Sequence, residues 1–444
     1  MRKLQRICVF IVTLSIVLGC VAFANGNTTL SQTMNENNYY EITTNDVLNT
    51  YGETVIKLPI NFKDVKIDGV SIDRDGKFAL VKTSIDKDEI TVNTVEDLVH
   101  DATYNIRIYT KDGKRYVMPI KAKDNLNVNP KKNNLVRISA KPSKGFNFPY
   151  YLYIPSGAFT NKDTMHLLVE GNNGYASDSF IIHDTSAKDI ITNKNGLKYY
   201  ADSLNVPSLV PIFPRFADHM NTPYLRFLDR KSLLTDDEQI KRVDLQLTAM
   251  IKDAQNILSN LGIEVESKVS LVGLSTSAKF AQRYALLQPH MVKTMVVGYT
   301  ASITSFPFSE YKGTKLRYPI GTADYKEITG TEFDVEEYKK IAQFHYMGDR
   351  DTNDATQFRD CYEEEDAQTI WRLFGEDQLN GRFENTEKAL KEMGFGDRIQ
   401  FHMYKDLRHE KTPNTIDDIL KFLKANNGEE FNRIKPHEYG RSGH

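Results

Sequence analysis

An apolar run, Val269-Ser270-Leu271-Val272, leads into Gly273-Leu274-Ser275-Thr276-Ser277, and a helix-like run follows over residues 278–288. A strand, a sharp turn carrying a serine and then a helix make the layout of a nucleophile elbow. Such a turn lifts a serine hydroxyl clear of a sheet and sets it beside a helix N-terminus, where main-chain N–H groups lack helical partners. It also constrains the fold, because a strand that runs straight into a helix belongs to a parallel sheet with helical crossovers. The usual elbow reads G-x-S-x-G, and Ser277 stands here where the last glycine is expected.

The flanking sequence fits that constraint. Strand-like runs recur at residues 136–140, 150–154, 166–169, 208–213, 268–272, 294–297, 341–346 and 400–404. Helix-like runs at 236–261, 278–288 and 387–393 fall between several of them. This alternation predicts an α/β fold, a doubly wound and mostly parallel sheet covered on both faces. Upstream the pattern differs. Short β-type runs from about residue 39 to 123 are punctuated by Asp68-Gly69, Asp75-Gly76 and Asp112-Gly113, and no helical period is sustained. They predict a small antiparallel, immunoglobulin-like β-sandwich serving as a spacer or accessory domain. The expected organisation is a leader (1–24), a flexible spacer (25–37), the β domain (38–124), a polar linker (125–134), the α/β domain (135–427) and a polar tail (428–444).

Residues 1–24 carry Arg2, Lys3 and Arg6 ahead of an apolar run at 7–18, the pattern of a signal peptide. The run is short for a permanent membrane helix. Ala22-Phe23-Ala24 fits cleavage before Asn25, whereas Val17-Leu18-Gly19-Cys20 resembles a lipobox whose Cys20 takes lipid. Either route predicts a secreted or surface-held protein, with membrane attachment only through Cys20. The leader holds three basic residues and no acid, so its loss takes the net charge from -2 to -5. That balance argues against nucleic acid as a partner. Cleavage before Asn25 would leave Cys361 as the only cysteine, so no internal disulfide is expected. Four acids at 363–366 would raise its thiol pKa and argue against a catalytic thiolate.

A serine nucleophile needs a base, and the base needs an orienting acid. Gly348-Asp349-Arg350-Asp351 follows the strand-like run at 341–346 and places Asp351 on a loop at the strand end, with Asp349 and Asp354 as competitors. The alternation of Asp349, Asp351 and Asn353 hints at a calcium loop, but Asp354 stands at the turn-glycine position and Asp360 at the bidentate glutamate, so no metal is expected. His409 lies between the last strand-like run and the last helix-like run, whereas His402 lies within the strand. Ser275 is preferred to Ser277 because its neighbours two residues away, Gly273 and Ser277, are both small. Thr276 N–H is one oxyanion donor, and the cluster Gly171-Asn172-Asn173-Gly174 is expected to supply a second, with Asn172 chosen among the four. Arg215 is a candidate for binding a substrate carboxylate, against an internal salt bridge as the plainer reading. The aromatics of residues 300–334 fit either a small cap or ordinary packing.

With these residues in place, the stretch 136–425 resembles the α/β-hydrolase superfamily, in particular exported bacterial esterases and poly(3-hydroxybutyrate) depolymerase-like hydrolases. The stretches that carry the resemblance are 167–174, 206–215, 243–250, the Ser275 elbow, 346–351 and His409-Glu410. It implies a Ser275–His409–Asp351 triad, an acyl-enzyme and no cofactor. The implied partner is a small or polymeric ester. A serine peptidase of the same fold and a non-catalytic surface binding protein are the alternatives.

Overall fold

The computed structural model describes residues 28–59, 62–218, 221–300, 303–359 and 362–441. The leader-like segment with Cys20, and Cys361, lie outside them. The chain separates into two compact units, residues 1–124 and 125–444.

The first unit is all β, with a seven-stranded and a three-stranded sheet. In the strand Thr103–Thr110 every second residue, including Tyr104, Ile106 and Ile108, is buried, the period-two pattern of a half-buried strand. Those residues join Ile42, Ile56, Ile90 and Met118 in one core. Three expectations are corrected here. The supposed spacer contains a strand, Thr28–Met34, paired antiparallel with Tyr40–Thr44 and contributing Leu30 to the core. Asp68-Gly69 is not a turn but lies at a register shift within the strand Ile67–Arg74, where Ile67 and Gly69 face the consecutive residues Thr110 and Tyr109 and Asp68 is the extra residue of a bulge. Finally, Arg115–Lys123 runs parallel to Tyr40–Thr44 and Val47–Asn49, a departure from the antiparallel immunoglobulin-like sandwich. The chain leaves that sheet at Gly52–Lys57 to build the other one, and a return through a crossover yields parallel pairing.

The second unit is α/β. Its sheet comprises β1 (Asn134–Ile138), β2 (Tyr150–Ile154), β3 (Leu168–Val169), β4 (Ser208–Pro211), β5 (Val269–Leu274), β6 (Val292–Gly298), β7 (Ala342–Gly348) and β8 (Ile399–Tyr404). The spatial order is β1-β2-β4-β3-β5-β6-β7-β8. Only the β1–β2 and β2–β4 pairings are antiparallel. Every residue of β2, β4, β6 and β7 is buried. Since successive side chains point to opposite faces, the sheet is covered on both. The principal helices are α1 (Phe180–Thr192), α2 (Val243–Asn260), α3 (Thr276–Leu287), α4 (Glu364–Phe374) and α5 (Pro413–Ala425). Among the described residues, no helix is long and apolar enough to cross a membrane.

Helix α2 begins seven residues later than the sequence suggests. Arg242, at φ 49°, breaks the run and turns its guanidinium onto Asp244 at 2.9 and 2.8 Å. The polar C-terminal stretch is also corrected, because it lies along β8. His402 Nε2 meets His437 O at 2.8 Å, Lys405 N–H donates to Glu438 O at 3.0 Å, and Gly440 N–H donates to Lys405 O at 3.0 Å. Phe306, Phe308, Tyr311 and Tyr318, the aromatics singled out in 300–334, are all buried in the core of this unit.

Candidate active site

Strain marks the end of β5. Ser275 has φ 60° and ψ −119°, a conformation costing a non-glycine residue about 1–3 kcal/mol. Its N–H donates to Gly298 O at 3.0 Å, and its carbonyl accepts from Lys279 N–H at 3.0 Å, the first bond of α3. Gly273 is required beneath it. A Cβ there would lie 2.5 Å from Ser277 C and O and from Ala278 N, closer than any side chain survives against fixed backbone. Ser277 is spent inside the turn. Its Oγ accepts from Leu274 N–H at 2.8 Å and lies 3.0 Å from Leu274 O and 3.2 Å from Glu170 Oε1. The missing glycine is thus a serine that ties the elbow together. Among the described residues, Ser275 Oγ carries no hydrogen bond.

Strand ends next to the elbow bring up the other two groups. At the end of β6, Tyr299 follows the Gly298 that accepts from Ser275. Tyr299 is itself at φ 53° and donates its N–H to Tyr346 O at 3.0 Å. Its ring meets the His409 ring at 5.1 Å between centroids. His409 therefore stands above the strand next to the elbow. Its Nδ1 lies 3.0 and 3.1 Å from the two carboxylate oxygens of Asp351. Asp351 is 0% exposed and its Oδ1 also accepts from Asn353 N–H at 3.0 Å. A carboxylate on Nδ1 fixes the tautomer with its proton there and leaves Nε2 as a base.

The rival acids are engaged elsewhere. Asp349 Oδ1 accepts from Leu407 N–H at 3.4 Å, and Asp354 pairs with buried Arg382 at 2.8 Å. The acid and histidine loops lie in direct contact, with Arg350 N–H donating to Leu407 O at 3.0 Å. Gly348 permits this, since a Cβ would sit 2.1 Å from Leu407 O. The C-terminal stretch holds the histidine loop from outside through Arg441 and Glu410 at 2.6 Å.

Thr276 is the first residue of α3, so its N–H is one of the unpaired donors at a positive helix end. Asn172 is buried, and its side chain is consumed by Phe213: Nδ2 donates to Phe213 O at 2.8 Å and Oδ1 accepts from Phe213 N–H at 3.2 Å. Only its main-chain N–H remains for the oxyanion role. Asn173 reaches the elbow itself, with Nδ2 3.5 Å from Leu274 O. Arg215 stacks on Tyr224 at 4.5 Å and reaches Gly174 O at 3.5 Å, so it braces the Gly/Asn loop.

Sequence reasoning missed several groups. Buried Arg226 donates to Phe213 O at 2.8 Å and Gly174 O at 3.3 Å, and meets His183 Nδ1 at 2.5 Å. Burial pushes its guanidinium down to about 10 and pushes the His183 imidazole down as well, so Arg226 is charged and His183 neutral at pH 7. The available signal was one charge inside the apolar stretch Tyr224-Leu225-Arg226-Phe227-Leu228. Glu170, at the end of β3, takes Ser277 on one side and Lys411 at 3.7 Å on the other. Its signal was an acid directly after an apolar strand. Away from these loops, Asp417, Asp418 and His437 bring ligand atoms within 4.8 Å of one another. Lys421 already supplies their cation, at 2.6 and 3.3 Å from the two aspartates.

No family model and no curated protein matches the chain. It is similar to three solved structures, among others. Poly(aspartic acid) hydrolase-1 from Sphingomonas sp. KT-1 is 14% identical, over 63% of this chain and 94% of that one, with a TM-score of 0.42. A poly(3-hydroxybutyrate) depolymerase from Bordetella parapertussis is 16% identical, over 68% and 91%, with a TM-score of 0.42. An S-formylglutathione hydrolase from Agrobacterium tumefaciens is 13% identical, over 69% and 99%, with a TM-score of 0.41. At these identities and TM-scores the likeness assigns neither reaction nor substrate to this chain.

Proposed function

We propose that the second unit is an α/β-hydrolase-type serine hydrolase that cleaves carboxylic esters. The observation that carries this reading is the pairing of His409 Nδ1 with both oxygens of fully buried Asp351, on a ring that meets Tyr299, the residue after the Gly298 to which strained Ser275 donates its N–H. Ser275 Oγ attacks the acyl carbon as His409 Nε2 takes its proton. Asp351 holds the ring and stabilises its cation. The oxyanion is met by Thr276 N–H and by an N–H of the Gly/Asn loop, with Asn172 the expected donor. Collapse expels the alcohol, which takes the proton from His409 and leaves an acyl group on Ser275. Water then attacks the acyl-enzyme with His409 again as base, and the acid departs. The leader-like residues 1–24 support an exported enzyme.

The test is turnover of p-nitrophenyl acetate together with labelling by a fluorophosphonate probe. Ser275→Ala should lose at least about 10³-fold in kcat and all labelling, in line with the loss of a triad member elsewhere. Full turnover by that variant would remove Ser275 from the mechanism.

A further inference from the structure

His409 sits on a loop with little internal support. Between β8 and α5, residues 405–412 hold one main-chain bond of their own among the described residues, from Glu410 N–H to Arg408 O at 2.9 Å. A segment without a ladder takes its shape from the groups outside it that satisfy its N–H and C=O. The acid loop supplies some of them through Arg350 and Asp349, and Glu170 meets Lys411 at 3.7 Å. The rest belong to residues 438–441. Lys405 C=O accepts from Gly440 N–H, and its own N–H donates to Glu438 O. The hydroxyl of buried Thr412 donates to Gly440 O, and Asn414 Nδ2 donates to Tyr439 O at 3.0 Å. The C-terminal stretch thus grips the histidine loop at its start and at its end.

Magnitudes single out one of these contacts. The side chains of Arg441 and Glu410 are 57% and 35% exposed, and such an exposed pair contributes about 0–1 kcal/mol. Gly440 acts through close approach instead. A Cβ there would lie 2.6 Å from Leu407 Cβ, Cδ1 and Cδ2. Leu407 is fully buried, so its side chain has no solvent to turn into. Gly348 closes on the same residue from the acid loop, where a Cβ would lie 2.1 Å from Leu407 O and 2.9 Å from Leu407 Cβ. Leu407 therefore meets two glycine backbones. It stands two residues before His409, and Gly348 stands three before Asp351. We propose that Gly440 is a positioning residue for His409: packed on Leu407 without a side chain, it holds the histidine loop against the acid loop and so sets the His409–Asp351 pairing. The effect on catalysis rests on the serine-hydrolase reading; the effect on the pairing does not.

The test is Gly440→Val in the full chain, read in two ways. One is kcat and KM on p-nitrophenyl acetate; the other is the proton resonance of His409 Nδ1–H in protein with isotope-labelled histidines. A displacement of about 1 Å at a catalytic group can cost about 10²-fold, so Gly440→Val should lose at least about tenfold in kcat. Its KM should stay within about twofold, and the Nδ1–H resonance should shift. Leu407→Ala makes room for the added side chain, so Leu407→Ala/Gly440→Val should turn over faster than Gly440→Val. Arg433→Ala is the control. Arg433 ties the same stretch to the far end of β8, donating to Ile399 O at 2.9 Å and Gly396 O at 3.2 Å. Its loss should leave kcat and the resonance in place. Should Gly440→Val fail to fold, Gly440→Ala, alone and with Leu407→Ala, carries the same test. An unmoved resonance and unchanged kcat in the Gly440 variant overturn the proposal. So do equal losses in Arg433→Ala, or a double variant no faster than the single one. A resonance that shifts in a chain whose wild type hydrolyses no ester upholds the positioning and overturns the reaction.

Discussion

The two units differ most in what they bury. Among the described residues, the buried polar residues of the first unit are five threonines and Asp73, which is matched by Arg107, and the side chain of Asp124 is buried beside His100 at 3.2 Å. The second unit buries whole charges, including Asp351, Glu170, Arg226, Lys279, Arg283 and Arg382. Burying a charge costs several kcal/mol unless it is paired and hydrogen-bonded. A fold that needed only stability would fill such places with apolar residues. Several of these charges bond to the loops that follow β3, β5 and β7. There Arg226 holds the Gly/Asn loop, Glu170 holds the elbow and Arg382 holds the acid loop. In the second unit some buried charges thus brace the loops of the candidate site, whereas in the first the Asp73–Arg107 pair joins two neighbouring strands of one sheet.

The sharpest test of that contrast sets one buried acid against the other. Asp351→Asn should lower kcat on p-nitrophenyl acetate by roughly 10³–10⁴-fold, because the asparagine no longer fixes the imidazole tautomer. Asp73→Asn should leave kcat unchanged. Equal losses in the two variants would erase the distinction. Next in size is a core truncation in the first unit. Ile106, fully buried, changed to Ala should cost that unit about 2–5 kcal/mol in chemical denaturation with esterase activity retained. Loss of activity under native conditions would mean that the β unit supports the site.

The smallest effect is set by pH. His345 is fully buried, stacked on Phe401 at 4.7 Å, and burial pushes its imidazole down to about 3. His166, His183 and His402 are lowered by burial as well. For each, the unfolded chain binds the proton first, so this stability is present above about pH 6.5 and is lost as pH falls towards the folded value. His345 alone should account for about 2 kcal/mol between pH 6.5 and 5. Denaturation midpoints should fall over that range, and His345→Leu should flatten the slope. An unchanged slope would show that His345 is reached by solvent in the folded state.

The sequence alone determined the α/β alternation, the Ser275 turn and the position of His409 after the last strand. Each depends on local order: hydrophobic periodicity, a small residue before the turn, and a loop that follows a strand. The choice among Asp349, Asp351 and Asp354 belonged to the tertiary structure, because it turns on partners that are distant in sequence, His409, Leu407 and Arg382. The strand at Thr28–Met34 and the docking of the C-terminal stretch along β8 were hidden for a related reason. Their polar side chains read as spacer and tail, while main-chain N–H and C=O groups, which every residue carries, make the pairing. The role of Ser277 was likewise decided in three dimensions. By type it looked like a missing glycine, and only the closed turn shows its hydroxyl accepting from Leu274 N–H. Sequence order sets which groups follow which strand; the packing of strand ends sets which of them meet.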